Sequence, residues 1–237
     1  MANVTHDRVL PLLLALATAA GGILLPAISF SGESSGPRLS ILAPREGAVL
    51  RKGRVLVIGK AAGGGISNVE VDVDGKGKQV AAVRGGGFSA HVPLGSGRNV
   101  IRARAGNTAA TVTVSAVDKP SGGGYVYHGG VEKCAECHGP PGKGFAVPAP
   151  RDALCYRCHG RQDKGKLAHG PMGNGDCTAC HDPHGSAHKA LTTASEETLC
   201  VACHDQKSSE VHFRKSRGKA CTSCHDPHSS DKPFLQR

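Results

Sequence analysis

Tryptophan is absent from this 237-residue sequence, and Tyr and Phe number only 3 and 5. A core built on large aromatic side chains is excluded. No cysteine precedes Cys134, although the chain has 10, so disulfides and thiolate chemistry are confined to the second half. That half lacks something else. Of its 113 residues from 125 to 237, only 14 are Leu, Ile, Val, Met or Phe, too few for a chain to order itself by burying side chains. Acidic residues are also in short supply: 19 Asp and Glu face 29 Lys and Arg, a net charge of +10. Such a balance invites a nucleic-acid partner, but no nucleic-acid motif and no interleaving of aromatics supports one.

Residues 9–30 carry no charge, follow a short polar start containing Arg8, and end on Ala27-Ile28-Ser29, small residues at the spacing of a signal-peptidase site. Export to the periplasm or beyond the cell is expected. The same run is long enough to span a bilayer, so residues 1–30 read either as a cleaved signal peptide or as a retained membrane anchor. No cysteine stands near its end, which excludes a lipid anchor there.

Runs of β-branched and small apolar residues follow at 39–42, 55–58, 69–73, 79–83, 88–92, 99–105 and 109–117, separated by turn residues such as Asp74-Gly75. Seven short strands predict an all-β sandwich over residues 38–118. The stretches Gly87-Phe88-Ser89-Ala90-His91-Val92-Pro93-Leu94 and Gly97-Arg98-Asn99-Val100-Ile101-Arg102-Ala103 resemble bacterial immunoglobulin-like modules. That resemblance implies a spacer or docking module, through which the protein could assemble with others, rather than a seat of chemistry. His91 reads as an edge residue. Residues 119–124, Lys-Pro-Ser-Gly-Gly-Gly, have the composition of a linker.

All ten cysteines fall in five copies of one pentapeptide: Cys134 and Cys137 before His138, Cys155 and Cys158 before His159, Cys177 and Cys180 before His181, Cys200 and Cys203 before His204, Cys221 and Cys224 before His225. CxxCH is the attachment signature of c-type haem. Two thiols three positions apart meet the two vinyl groups of one macrocycle, and the histidine that follows is held under the iron. Zinc sites and disulfides also use paired cysteines. Neither requires a histidine directly after the second one, five times over. Five covalent haems would also supply the apolar core that residues 125–237 lack, giving a haem-packed domain of loops and short helices.

Cys155, His169, Cys177 and His184 recur as Cys200, His212, Cys221 and His228, and His181-Asp182-Pro183-His184 recurs as His225-Asp226-Pro227-His228. A two-haem unit has been duplicated. Residues 125–228 are similar to the multihaem c-type cytochromes of the doubled-CxxCH family, which implies electron carriage in a respiratory chain. The first motif departs from the pattern. Gly139-Pro140-Pro141 replaces the trailing histidine, so this haem reads as a single addition at the linker.

Beyond the five motif histidines the region keeps His128, His169, His184, His188, His212 and His228, six candidates for five distal positions, with Met172 its only alternative sulfur ligand. The most economical assignment gives His128 to the haem on Cys134/Cys137, His184 to Cys155/Cys158, His169 to Cys177/Cys180, His228 to Cys200/Cys203 and His212 to Cys221/Cys224. His188 is left over, for the surface or for a partner's haem. Irons closed by two histidines suit electron transfer, whereas a reductase needs an open position.

The haem region carries 15 Lys and Arg against 12 Asp and Glu, and the rest of the chain supplies the remaining +7. Ten haem propionates would make the second half acidic and leave the first half basic. The expectation is an exported pentahaem electron carrier, not an enzyme, whose partners are redox proteins: other cytochromes or a quinol-linked membrane donor. Its rivals are a small reductase with one five-coordinate haem, and a subunit of an extracellular cytochrome filament or outer-membrane conduit.

Overall fold

A computed structural model describes residues 36–139, 146–148, 150–204 and 218–237. The expected leader at 1–30 and His212 lie outside the described residues. Among the described residues no helix is long and apolar enough to cross a membrane.

Eight strands form the first half: β1 (Arg38–Ala43), β2 (Val49–Arg51), β3 (Gly53–Ala62), β4 (Asn68–Val73), β5 (Lys76–Ala82), β6 (Gly87–Leu94), β7 (Gly97–Ala105) and β8 (Thr108–Val117). They make a three-stranded sheet, β1-β3-β6, and a five-stranded sheet, β2-β8-β7-β4-β5. The cause is visible along β6, where Phe88, Ala90, Val92 and Leu94 are buried while Ser89, His91 and Pro93 are exposed. Period-two alternation gives such a strand one apolar face. Those faces meet in one core that includes Val57 and Phe88 from one sheet and Val71, Ile101 and Val114 from the other.

All seven expected strands are present. The additional one, β2, runs parallel to β8, pairing Val49 with Ser115 and Arg51 with Val117. Asp74 and Gly75 both have positive φ, 51° and 77°, as the tight turn between β4 and β5 requires. Phe88 pairs with Gly59 across β3 and β6, and its ring covers the place where a Cβ on Gly59 would sit, 2.0 Å from Cζ. Only glycine admits the ring there.

The second half is built differently. Its strands are two-residue pieces, β9 (Val126–Tyr127), β10 (Leu167–Ala168), β11 (Gly185–Ser186) and β12 (Ser229–Ser230). Its helices, α1 (Cys134–Cys137), α2 (Arg151–Cys155), α3 (Gly170–Gly173) and α4 (Glu196–Val201), do not exceed six residues. Among the described residues from 126 onward, no Leu, Ile, Val, Met or Phe is buried.

The two halves nevertheless touch. Tyr125, read as the first residue after the linker, is buried in the sandwich core, and its N–H donates to the Val49 carbonyl at 2.7 Å. The Tyr127 hydroxyl donates to the Leu56 carbonyl at 2.5 Å. Arg45 reaches Asp182, with Nε at 2.9 Å and Nη2 at 2.5 Å from Oδ2.

Candidate functional site

Every CxxCH motif folds as one helical turn. The N–H of its histidine donates to the carbonyl of its first cysteine: His138 to Cys134 at 2.8 Å, and His159 to Cys155, His181 to Cys177, His204 to Cys200 and His225 to Cys221 at 3.0 Å. Positions i, i+3 and i+4 share a helix face, so the turn brings two thiols and one imidazole to the same side. Successive motifs adjoin. The Cys155 thiol has the Cys177 thiol as a close neighbour, and the Cys200 thiol has that of Cys221. Burial, with the neighbouring thiol adding to it, pushes Cys155 and Cys200 each up to about 11.

The imidazoles meet in pairs. His138 faces His184 with ring centres 6.2 Å apart and planes at 12°, His181 faces His228 at 6.1 Å and 15°, His169 faces His204 at 5.8 Å and 24°, and His128 faces His159 at 5.8 Å and 60°. Each pair joins one motif histidine to one histidine from elsewhere. A ring nitrogen binds a first-row metal at about 2 Å and lies about 1 Å from its ring centre, so two imidazoles sharing one iron have centres about 6 Å apart. The residues present therefore fit haem, with the thiols of each motif for its vinyl groups and a histidine pair for its iron. The Tyr156 hydroxyl, buried within the second motif with no hydrogen-bond partner among the described residues, adds a donor that a haem carboxylate would satisfy.

The family defined by a doubled CXXCH motif matches residues 128–164, 169–209 and 214–237. The doubled motifs indicate a multihaem c-type cytochrome for this part of the chain. No curated protein matches the sequence. Among solved structures, fibronectin(III)-like modules of Clostridium thermocellum CbhA are 18% identical, over 33% of this chain and 94% of theirs, with a TM-score of 0.27. An FMN-binding β-glucuronidase from Facaelibacterium prausnitzii is 25% identical over 36% of this chain and 12% of its own, with a TM-score of 0.30. An engineered protein is 23% identical over 34% of this chain and 20% of its own, also at 0.30.

The pairing in the cytochrome differs from the economical assignment. His184 faces the histidine of the first motif rather than the second, His128 that of the second rather than the first, His228 that of the third rather than the fourth, and His169 that of the fourth rather than the third. The physical reason lies in the short segments that join each leading histidine to its own motif. Turns closed by Val131 N–H to His128 and Lys133 N–H to Gly130 separate His128 from Cys134, and α3 with its following turn separates His169 from Cys177. Compact as they are, these segments send the leading histidine to the next motif's histidine, while a trailing histidine reaches back two motifs.

Two small clasps hold these ligands. β9 pairs with β11, and the His128 N–H donates to the His184 carbonyl at 3.2 Å. β10 pairs with β12, and the His169 N–H donates to the His228 carbonyl at 2.9 Å. The first motif is thus a full member of the first unit and not a lone addition.

An aspartate secures each trailing histidine. Asp182 accepts the His184 N–H at 2.9 Å and Asp226 the His228 N–H at 3.0 Å. Burial opposes ionisation of Asp182, but its hydrogen bonds from His184 and Arg45 outweigh burial and hold the carboxyl well below the usual range. Asp226 has Arg237 at 3.9 Å instead. The sandwich therefore supplies to the first clasp the cation that the C-terminus supplies to the second. His188 is exposed, and His91 stands 3.3 Å from Glu132 at the edge of the sandwich. Between the halves runs a groove of about 550 Å³ whose lining includes Arg51, Arg54, Tyr127, His128 and Lys133.

Proposed function

We propose that the chain is an exported pentahaem electron carrier. The haem supplies a one-electron ferric/ferrous couple, and everything else falls to the polypeptide. Each motif turn would hold a macrocycle through its two cysteines and one histidine, and each clasp carries two further histidines toward motif histidines. The observation that carries the reading is the facing of imidazoles in four pairs. An iron closed on both sides has no position for a substrate, which suits electron transfer and not reduction of a bound oxyanion. Motifs spaced 21–23 residues apart, with thiols of the second and third motifs and of the fourth and fifth beside one another, would keep neighbouring macrocycles close enough to exchange electrons. Residues 134–138, 155–159, 177–181, 200–204 and 221–225 hold the five haems, and His212 completes the distal set.

The sandwich, of the immunoglobulin-like kind, serves as the spacer or docking module that presents the haem chain to its redox partners. Those partners are other cytochromes or a quinol-linked membrane donor, met outside the cytoplasm. Purified holoprotein should weigh five haems more than the processed polypeptide after denaturation, and its spectrum should be fully low-spin in both oxidation states without binding carbon monoxide. Fewer than five haems, or one stoichiometric high-spin haem in the resting protein, would overturn the reading, the latter in favour of a reductase.

A further inference from the structure

The motif histidines of the third and fifth haem sites share a contact that the second lacks. His181 Nδ1 lies 2.8 Å from the Ala190 carbonyl and His225 Nδ1 lies 2.7 Å from the Phe234 carbonyl. A carbonyl oxygen can only accept, so Nδ1 carries the proton in both rings and Nε2 is left for the iron. His159, in the second motif, has no such acceptor among the described residues.

The two acceptors sit on matching, strained loops. Ala190 and Leu191 both have φ of 56°, and Phe234 and Leu235 have 56° and 53°. Consecutive left-handed non-glycine residues are rare and persist only where the surroundings over-determine them. Here they do. The Leu191 carbonyl accepts from the Asp182 N–H at 2.8 Å and the Leu235 carbonyl from the Asp226 N–H at 2.7 Å. Thr193 N–H donates to Cys180 at 2.8 Å and Arg237 N–H to Cys224 at 2.9 Å. The Ser186 hydroxyl ties down the Thr192 carbonyl, and the Ser230 hydroxyl that of Gln236. A right-handed backbone at 190 or 234 would aim its carbonyl elsewhere. The sequence spends its strain on one carbonyl per loop, and Phe234 is left 83% exposed as a result.

Resting on the electron-carrier reading, we infer that these loops are potential-setting devices, and that Ala190 and Phe234 are positioning residues for the third and fifth irons. An acceptor on Nδ1–H raises the electron density at Nε2, which favours ferric over ferrous iron and lowers the potential. One electron enters or leaves the iron, and the Nδ1 proton stays on the ring in both states. The haems on Cys177/Cys180 and Cys221/Cys224 are therefore low-potential sites, and the haem on Cys155/Cys158 between the first and third motifs is a higher-potential one. The chain of haems is stepped rather than level.

Two holoprotein variants test this by redox titration followed with electron paramagnetic resonance. Leu235→Pro turns away the Phe234 carbonyl and Leu191→Pro that of Ala190, because proline cannot take a positive φ. The first should raise only the midpoint of the haem on Cys221/Cys224 and the second only that on Cys177/Cys180. A tenfold loss of ferric preference would read as about 59 mV. Ala190→Gly keeps the carbonyl and should move neither. Unmoved midpoints in variants that keep five low-spin haems overturn the inference, as does an equal rise with Ala190→Gly. Should a variant fail to mature, histidine-labelled wild type decides: Nδ1 protons protected from exchange on His181 and His225 but not on His159 support the device, and uniform protection or none overturns it. Loss of haem count or of the low-spin spectrum in wild type would instead sink the carrier reading itself.

Discussion

The sandwich and the cytochrome segment are both poor in aromatics, yet they are held together by different means. In the sandwich, Val57, Val69, Val71, Val92, Ile101 and Val114 are fully buried, and each such side chain contributes roughly 1.5–3 kcal/mol. From residue 126 onward no comparable side chain is buried among the described residues, while the backbone still costs about 1–2 kcal/mol per residue to order. What the cytochrome has in abundance is local closure: one helical turn per motif, a two-residue clasp per pair of distal ligands, a carboxylate behind each trailing histidine. Local closure fixes geometry but does not offset that entropy. Covalently attached macrocycles can, because they bring apolar surface and tie distant segments to one iron. One half carries its core in its side chains and the other receives it.

The sharpest way to break this contrast is to withhold the haem. A fragment of residues 36–127 made in the cytoplasm should melt cooperatively and resist protease, and a fragment of residues 125–237 made the same way should do neither. The first fragment runs to 127 because Tyr125 and Tyr127 pack against the sandwich, and ending it at 118 should lower its stability. A protease-resistant apo segment would show that the polypeptide has a core of its own.

The next largest effect distinguishes the crossed pairing from the economical one. His184→Ala should leave one haem in five high-spin and open to carbon monoxide, and that haem should be the one on Cys134/Cys137. In a Cys134→Ser, Cys137→Ser background the high-spin signal should be gone. His128→Ala should give the same signature on Cys155/Cys158. A high-spin signal from His184→Ala that survives loss of the first motif would restore the other pairing.

How much of this was legible in the sequence follows the same division. Strands with six or more residues announced themselves by their runs of β-branched and small apolar residues, as did the hairpin at Asp74-Gly75. β2 did not, since three residues with only Leu50 buried have no period to read. The motifs were legible because thioether chemistry fixes both residue type and spacing. The pairing was not. Clasps of two residues leave no pattern, and which motif a histidine reaches depends on strand pairing between residues 58 and 60 positions apart, as for Tyr127 with Gly185 and Val126 with Ser186. The acceptors on His181 and His225 are backbone carbonyls, which any residue type supplies, so only the left-handed φ values betray them.

A smaller effect crosses between the halves. Arg45→Ala leaves Asp182, 4% exposed, without its cation, and should cost about 1.5–3 kcal/mol, the range for a hydrogen bond to a charged group. Arg237→Ala, whose guanidinium is 3.9 Å from a more exposed Asp226, should cost well under 1 kcal/mol. Chemical denaturation of the two holoprotein variants checks the order. Equal costs would mean that the sandwich contributes no more to the first clasp than the C-terminus does to the second.

The smallest effect is spectroscopic, and it asks whether the sandwich leaves a mark on a haem. Two axial imidazoles with parallel planes donate into the same iron d orbital and split the d levels widely, whereas rings turned toward perpendicular donate into both and split them less. Three pairs here lie at 12°, 15° and 24°, and the His128/His159 pair at 60°. Ferric holoprotein should accordingly show one low-spin signal more axial, with a larger maximum g value, than those of the other three pairs, and His128→Ala should remove it. His128 directly follows β9, which the Tyr127 hydroxyl anchors to the Leu56 carbonyl, whereas β10, ahead of His169, pairs with a strand of the cytochrome itself. Tyr127→Phe removes that anchor while leaving every ligand in place. A shift of the axial signal alone in Tyr127→Phe would show that the sandwich sets the ring angle, and four signals of one rhombic type in the wild type would remove the basis for that claim.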